Sequence, residues 1–154
     1  PKKPPPNPPA PPPARKPTLK PSRAPATLPD GLPWPRALDG CTLSPWRSLG
    51  PGRRWSRITS PLDRQANLFL LRIGAGLPMP WHSHSGVEMT QVLYGAFDDG
   101  RAVFGRGDFD LADGDVHHQP AVLADGECVC LATVRGKVLF DGALARLLGG
   151  LIGL

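Results

Sequence analysis

The sequence GLPMPWHSHSGVEMTQVLYG, from Gly76 to Gly95, decides how this chain is interpreted. It contains His82 and His84, one residue apart, and Glu88 four residues later. Alternate side chains of an extended strand share a face, so the two imidazoles point the same way, with Cα atoms about 7 Å apart. Two imidazoles at this spacing can both reach one ion at about 2.0–2.1 Å. The stretch therefore indicates either three ligands of a metal site or the polar end of a strand.

Short strand-like segments surround this stretch. They are rich in β-branched and aromatic residues and are separated by Gly, Pro and Asp-Gly turns, which is typical of antiparallel strands. The segments are residues 53–59, 66–73, 87–95, 101–105, 108–115, 116–120, 127–134 and 136–140, with a hairpin turn at 97–100. About eight short strands at regular spacing predict an all-β sandwich or barrel. Leucines at helical spacing in residues 142–154 predict a short amphipathic C-terminal helix that packs on the barrel or on a partner subunit.

The first 35 residues differ in composition from the rest. They hold fifteen of the 21 prolines, and so few apolar side chains cannot offset the entropy of ordering the chain. Residues 1–60 carry a net charge of +9, and residues 61–154 carry a net charge of −4. We therefore expect a disordered, basic, proline-rich tail over residues 1–35 and a folded domain over residues 36–154.

Such a tail can meet partners in more than one way. A basic, flexible segment can contact nucleic acid or an anionic membrane non-specifically, and its P-x-x-P sequences can bind an aromatic-lined groove. No aromatic residue precedes Trp34 to stack on bases. The composition favours a solvated linker, so nucleic-acid binding beyond non-specific contact of the tail is not expected.

The cysteines and the hydropathy bear on the compartment. Three cysteines are an odd count and form no disulfide framework. Cys128 and Cys130 share one face of a strand-like run, with Cα atoms about 7 Å apart, at the limit for a disulfide. This favours small core residues over a redox-active thiol pair. No apolar run is long enough to span a bilayer, and the N-terminus has no apolar leader. A reducing cytoplasm without membrane attachment is expected.

The two remaining histidines, His117 and His118, are adjacent. Neighbouring residues of a strand point to opposite faces, so only one of them can join a site with His82 and His84. The residues alone leave both candidates open. Two histidine clusters on strand-like segments nevertheless favour a metal site over a polar strand end.

The spacing of the glycines, histidines and glutamate in residues 76–95 resembles the first motif of the cupin superfamily, G-x5-H-x-H-x3-E-x6-G, at every position. The segment GRGDFDLADGDVHHQP (105–120) is similar to the second motif, but only loosely, because the proline and asparagine of that motif are missing. The resemblance implies a jelly-roll barrel, also described as a double-stranded β-helix.

Three segments together resemble the cupin-like C-terminal domain of the ChrR type of anti-sigma factor: HSHSGVEMTQVLYGAFDD, GRGDFDLADGDVHHQP and GECVCLA. The resemblance covers about residues 46–154. In that family a histidine followed by a polar residue and a proline is a ligand, which corresponds here to His118-Gln119-Pro120. What the resemblance implies is a zinc site with four ligands, His82, His84, Glu88 and His118.

One part of the ChrR pattern has no counterpart in this sequence. ChrR-type proteins carry a helical sigma-binding domain before the cupin, with an H-x3-C-x2-C zinc motif. Here the N-terminal region is rich in proline, and its one cysteine is Cys41. The sequence therefore does not support sigma-factor binding.

Two functions follow from the implied ligands. Three imidazoles and one carboxylate fill a tetrahedral zinc ion, which indicates a non-catalytic module that senses a small molecule or an oxidant. The same ligands around Fe, Mn or Ni leave coordination positions open, as in cupin dioxygenases that act on small aromatic or diketone substrates. No further acid or base is evident near the motif, which favours zinc and the sensor. A homodimer is compatible with either function.

Overall fold

The structure is a computed structural model that describes residues 22–23, 31 and 33–142. Over these residues the chain forms thirteen strands and one short 3-10 helix, Arg36–Leu38. The strands are β1 Ser22–Arg23, β2 Thr42–Leu43, β3 Arg47–Ser48, β4 Arg53–Thr59, β5 Leu68–Ile73, β6 His82–His84, β7 Val87–Tyr94, β8 Ala96–Asp98, β9 Val103–Gly105, β10 Phe109–Ala112, β11 Ala121–Val122, β12 Cys128–Arg135 and β13 Val138–Phe140. The prediction of an all-β fold is confirmed.

The strands form three antiparallel sheets. The largest has the order β1-β2-β4-β5-β12-β7-β10, with β3 also paired to β4. A three-stranded sheet has the order β11-β8-β9, and β13 pairs with β6. Strand β12 lies between β5 and β7, and its first three residues are all buried. A strand that is covered on both faces needs a continuous apolar run, which explains the sequence of this segment.

The core consists of three clusters of buried side chains, and β12 contributes to all of them. Val129 packs with Leu70 and Leu93 on one face of the strand. Cys128 and Cys130 face the other way, into a cluster with aliphatic and aromatic neighbours. The alternation along β12 therefore separates an outer layer of the core from the interior of the barrel.

Glycines hold both ends of β7 close to β12. A Cβ added at Gly86 would collide with the carbonyl oxygen of Arg135, and one added at Gly95 would collide with that of Glu127. Gly95 also has a φ of +71°, which side chains rarely adopt. The pairing of β7 with β12 thus depends on glycine at both of its ends, which fixes where Glu88 lies.

The observed strands differ from the predicted ones in several places, since β2, β3, β8 and β11 lie outside the segments predicted as strands. Residues 116–120 were expected to be strand-like, but they form only an isolated bridge between His118 and His82. Strand β1 pairs Ser22 and Arg23 with β2, and the partly buried Trp34 packs against the core. The backbone of Ser22 and Arg23 and the side chain of Trp34 thus have partners among the strands that follow.

Two further expectations fall mainly on other parts of the chain. The C-terminal helix of residues 142–154 and most of the tail of residues 1–35 lie outside the described residues. Within residues 22–23, 31 and 33–142, no helix has the length and apolar character needed to cross a membrane.

Candidate metal centre

Strands β6 and β7 bring three of the predicted ligands together. His82 and His84 are both buried, while Ser83 between them is less so, as strand alternation requires. Strand β13 covers β6 from one side by pairing His82 with Phe140. The chain turns at residues 85–86 and enters β7, where Glu88 meets His84 with 2.7 Å between Oε2 and Nε2. Residues 82–88 therefore supply three of the four side chains of the cluster.

His118 supplies the fourth side chain of the cluster from a segment that is distant in sequence. Its backbone forms two hydrogen bonds with that of His82, each 3.0 Å long. The side chain is 4% exposed, and its Nε2 lies 3.1 Å from Nε2 of His82. The structure therefore brings together the four residues that the sequence and the resemblance pointed to.

The geometry of the four side chains fits one metal ion. One ligand atom from each residue lies within 4.8 Å of the other three. Ligand atoms about 2.05 Å from a tetrahedral ion are about 3.3 Å apart, and three of the separations here are 2.7 Å for His84–Glu88, 3.1 Å for His82–His118 and 3.7 Å for His82–Glu88. Three imidazoles and a carboxylate are also ligands that zinc and related transition metals accept.

The electrostatics of the cluster favour an ionised Glu88 and a neutral His118. Burial would raise the pKa of Glu88, but hydrogen bonds from His82 and His84 and their charges lower it to about 2. Burial, together with repulsion from His82, lowers the pKa of His118 to about 4. An ionised carboxylate and a neutral imidazole are the states that coordinate a cation.

The outer nitrogens of the imidazoles have different surroundings. Nδ1 of His82 lies 2.8 Å from the carbonyl oxygen of Pro80, to which it can donate a hydrogen bond, leaving Nε2 as the lone pair that faces the cluster. Nδ1 of His118 lies 3.6 Å from Oδ2 of Asp99. Nδ1 of His84 is buried, with no hydrogen-bond partner among the described residues.

A buried ionic network stands behind His118. Asp99 accepts backbone hydrogen bonds from Arg101 (2.8 Å) and Ala102 (3.0 Å), and its other oxygen pairs with the Arg101 side chain. Arg101 also reaches Asp110 at 2.7 Å. Burial would raise the pKa of Asp99, but the backbone and guanidinium hydrogen bonds lower it, whereas burial dominates at Asp110 and raises its pKa. Asp99, Asp110 and His118 form a second group with metal-compatible spacing, in which Arg101 already provides positive charge.

This network corrects the expectation that no further acid or base lies near the motif. Asp99 sits in the segment Asp98-Asp99-Gly100, which has the composition of an ordinary hairpin turn, and Asp110 is one of several acidic residues in residues 108–115. The available signal was the alternation in β10, which buries Asp110 on the same face as Ala112.

His117 lies outside the cluster. Its side chain is 53% exposed, stacks on Trp81 with ring centroids 5.1 Å apart and pairs with Asp141 at 3.0 Å. Since its neighbour His118 points inward, the adjacent histidines face opposite ways, as predicted.

A mostly apolar cavity of about 70 Å³ adjoins the cluster. Its wall includes His82, Glu88 and His118 as well as Asp110, and the remaining wall is largely aliphatic and aromatic. A single water molecule needs about 10–15 Å³ of such a volume, so the cavity has room for a small ligand.

Comparison with known proteins identifies the relatives of this chain. Residues 37–138 match the family described as the ChrR Cupin-like domain. The anti-sigma-E factor ChrR of Cereibacter sphaeroides is 38% identical over 102 residues, which are 66% of this chain and 47% of that protein. The chain thus spans about half the length of this curated relative.

Solved structures agree with this match. The crystal structure of Rhodobacter sphaeroides SigE in complex with the anti-sigma ChrR gives a TM-score of 0.55 at 38% identity, over 59% of this chain and 48% of that chain. An RmlC-like cupin protein from Ralstonia eutropha, at 23% identity and a TM-score of 0.53, covers 62% of this chain and 66% of its own, and shares the fold.

The relatives bear on two expectations. The predicted cupin barrel is confirmed by the structural neighbours. The relative of known structure is bound to a sigma factor, whereas this sequence was not expected to support sigma-factor binding, and the two chains share only about half of that relative's length. On the match over residues 37–138, this chain belongs to the family of ChrR cupin-like domains.

Proposed function

We propose that this domain is a non-catalytic regulatory module that binds one zinc ion through His82, His84, Glu88 and His118. The observation that carries the proposal is the convergence of the four ligand atoms within 4.8 Å, with an ionised carboxylate among three imidazoles. Four protein ligands complete a tetrahedral zinc ion and leave no position for a substrate. A closed site of this kind is structural or sensory rather than catalytic.

The attachment of His118 explains how such a site can report a signal. When bound, the ion supplies a link between segments that are distant in sequence. His82, His84 and Glu88 lie on adjoining strands, whereas His118 belongs to no strand and is held to β6 by two backbone hydrogen bonds. Removal of the ion by a competing small-molecule ligand would leave the buried carboxylate of Glu88 without its cation, and it would free His118, which lies outside the strands, from the other ligands.

The metal in the purified protein tests this proposal. We expect elemental analysis to find about one zinc per chain and X-ray absorption to find four nitrogen or oxygen ligands. His117→Ala is the matched control, because it removes the adjacent, exposed imidazole and should retain the zinc. Absence of metal from zinc-supplemented protein would contradict the site, and six-coordinate iron, manganese or nickel with bound water would contradict the sensor.

A dioxygenase-type enzyme is the second candidate, and the cavity beside the cluster favours it. Three of the four proposed ligands and Asp110 line a space that could receive a small aromatic or diketone substrate. Oxygen uptake by protein loaded with Fe(II), Mn(II) or Ni(II) and supplied with such compounds tests this candidate. We expect no turnover above that of Glu88→Gln, and a rate that this variant abolishes would replace the sensor with an enzyme.

The partner of the module is a separate question. The whole anti-sigma relative binds a sigma factor, and we propose that residues 33–142 of this chain carry the metal-dependent part of such a protein without the sigma-binding part. Size-exclusion chromatography of the zinc-loaded chain with a purified SigE-type sigma factor should show no complex. A stable complex at micromolar concentration would contradict this division.

We also propose that the module works in a reducing compartment such as the cytoplasm. Cys41, Cys128 and Cys130 are all free thiols in the structure, and free thiols persist where thiol reductants are present. Cell fractionation with an antibody to the chain should recover it with cytoplasmic markers, and recovery from an oxidising compartment would contradict the proposal.

A further inference from the structure

Cys128 and Cys130 form a buried thiol pair that the proposed metal centre does not use. They lie on the same face of β12 and are 2% and 6% exposed. Their sulfur atoms are 3.5 Å apart. Both line the cavity that adjoins the histidine cluster, so they face an enclosed space and not only packed core.

A third sulfur lies in the same surroundings. Met79 lines the cavity and packs against the cluster of buried residues that contains both cysteines. The other buried members of that cluster are Ile73, Val92, Phe97 and Val122. Among the described residues of this cluster, the cysteines and Met79 are the side chains that offer a metal ligand, and all three offer sulfur.

The spacing of the thiols argues against a disulfide and for a shared ion. Alternate residues of an extended strand have Cα atoms about 7 Å apart, at or beyond the range of disulfide geometry. Two sulfur atoms that each lie about 2.3 Å from one three-coordinate ion are about 4.0 Å apart. The observed separation of 3.5 Å therefore needs adjustment of about half an ångström.

We propose that Cys128, Cys130 and Met79 form a second metal site, which takes a soft monovalent cation of the Cu(I) or Ag(I) type. Thiolate and thioether ligands select such ions over the harder divalent metals. Two thiolates and one thioether around a monovalent cation carry a net charge of −1, which is less than the −2 that the two thiolates would bury without the ion.

Binding at this site would release two protons. The S–H bonds of both cysteines break, their protons go to solvent and two sulfur–metal bonds form, with no change in oxidation state. The hydrogen bond with Cys128 and burial raise the pKa of Cys130 well above its usual value. This agrees with a pair that holds at least one proton when no ion is present.

The test uses the zinc-loaded chain, reduced and free of oxygen. It is titrated with Cu(I) held by a coloured chelator that competes for the ion, and Ag(I) serves as a second probe. Metal content after gel filtration, X-ray absorption at the copper edge and the proton release on titration are measured. We expect one Cu(I) per chain with sulfur ligands, two protons released and an unchanged zinc content.

Matched variants separate the site from adventitious thiol binding. Cys128→Ala and Cys130→Ala should each lose the ion, and Met79→Leu, which keeps the side-chain volume, should bind it at least about tenfold more weakly. Cys41→Ser removes the third thiol, which lies outside this cluster, and should bind as tightly as the parent chain. Retained zinc and an unchanged circular dichroism spectrum show that each variant is folded.

Several outcomes would overturn the proposal. They are no Cu(I) binding by the parent chain, equal affinity in Cys128→Ala and the parent, equal affinity in Met79→Leu and the parent, or nitrogen ligands with loss of zinc, which would place copper in the histidine cluster. If a cysteine variant does not fold, Met79→Leu decides. The second site and the zinc site also fail separately, because zinc content and sulfur-bound copper are measured in the same sample.

Discussion

Two places in this molecule pair a histidine with a carboxylate at almost the same distance. Inside the barrel, His84 and Glu88 are 2.7 Å apart, with side chains that are 0% and 14% exposed. On the surface, His117 and Asp141 are 3.0 Å apart, with side chains that are more than half exposed. Aromatic rings accompany both pairs: Phe140 lies near the buried histidines, and Trp81 stacks on His117.

Burial, and not residue type, separates these two clusters. An exposed ion pair contributes little, because water already solvates both groups. A buried carboxylate loses that solvation and must be compensated by several partners. Glu88 finds two imidazoles, and His118 brings a third within reach of the same point. A cation at that point would compensate them all, which is why the interior cluster, and not the surface one, is the candidate site.

The largest expected effect on metal binding and stability is that of His84→Ala, in the buried cluster. We expect this variant to lose the bound metal and to unfold about 10 °C or more below the parent chain, since a ligand at 100 times its dissociation constant stabilises by about 2.7 kcal/mol. Elemental analysis and thermal unfolding with and without a chelator measure both effects. If the chelator lowers the melting temperature of the variant as much as that of the parent, His84 is not a ligand.

Asp99→Asn tests the ionic network behind the cluster. Removal of the charge beside Nδ1 of His118 should weaken zinc binding by about 10- to 100-fold, the usual effect of losing a residue that orients a ligand. Competition with a zinc chelator measures the affinity. The surface carboxylate gives the control, because Asp141→Asn should leave the affinity unchanged. Equal affinities in the two variants would show that Asp99 only supports the hairpin.

The pH dependence of the stability of the metal-free chain also distinguishes the buried His118 from the exposed His117. The folded state lowers the pKa of His118 from 6.5 to about 4. Below pH 6.5 the unfolded chain binds a proton that the folded chain does not, so this contribution to stability is complete above pH 6.5 and declines as the pH falls toward 4. We expect a loss of about 1 kcal/mol between pH 6.5 and 5.5 from this residue.

Denaturant unfolding at several pH values in the presence of a chelator measures this loss. His118→Gln should reduce the slope of unfolding free energy against pH, whereas His117→Gln should retain it. Identical slopes in the parent and in His118→Gln would mean that His118 does not account for the pH dependence.

The smallest effect is expected at the surface cluster formed by His117, Asp141 and Trp81. His117→Ala should change the free energy of unfolding by no more than about 0.5 kcal/mol, as is usual for exposed positions. Its zinc content should match that of the parent chain. A metal content that fell with His117→Ala would show that the surface histidine shares the site, and it would remove the distinction between the two clusters.

How far the sequence predicts this site depends on how local each part is. His82, His84 and Glu88 lie within seven residues, so strand alternation and one turn are enough to place them on a common face. The choice of His118 over His117 rested on the resemblance, because strand alternation alone allows either. In the structure His118 lies in no strand and is oriented by its bridge to His82.

The parts that the sequence does not predict depend on how separate segments meet in three dimensions. Asp99 and Asp110 belong to the loop after β8 and to β10, and Arg101 joins them in three dimensions. Pairing of Ser22–Arg23 with β2 joins residues that are distant in sequence, and composition alone does not predict it. By contrast, the shared face of Cys128 and Cys130 follows from alternation and is confirmed by their sulfur contact.

The close approach of Gly86 and Gly95 to the carbonyl oxygens of β12 has a consequence for how this sequence can vary. Strand β7 is held at both ends, so the number of residues between the two glycines is as constrained as their identity. Deletion or insertion of one residue between Gly86 and Glu88 would turn Glu88 away from the histidines and bring Val87 or Met89 to its place. Descendants of this chain can therefore exchange the exposed Gln91 freely, but a change of length by one residue between Gly86 and Glu88 would abolish the cluster in a single step.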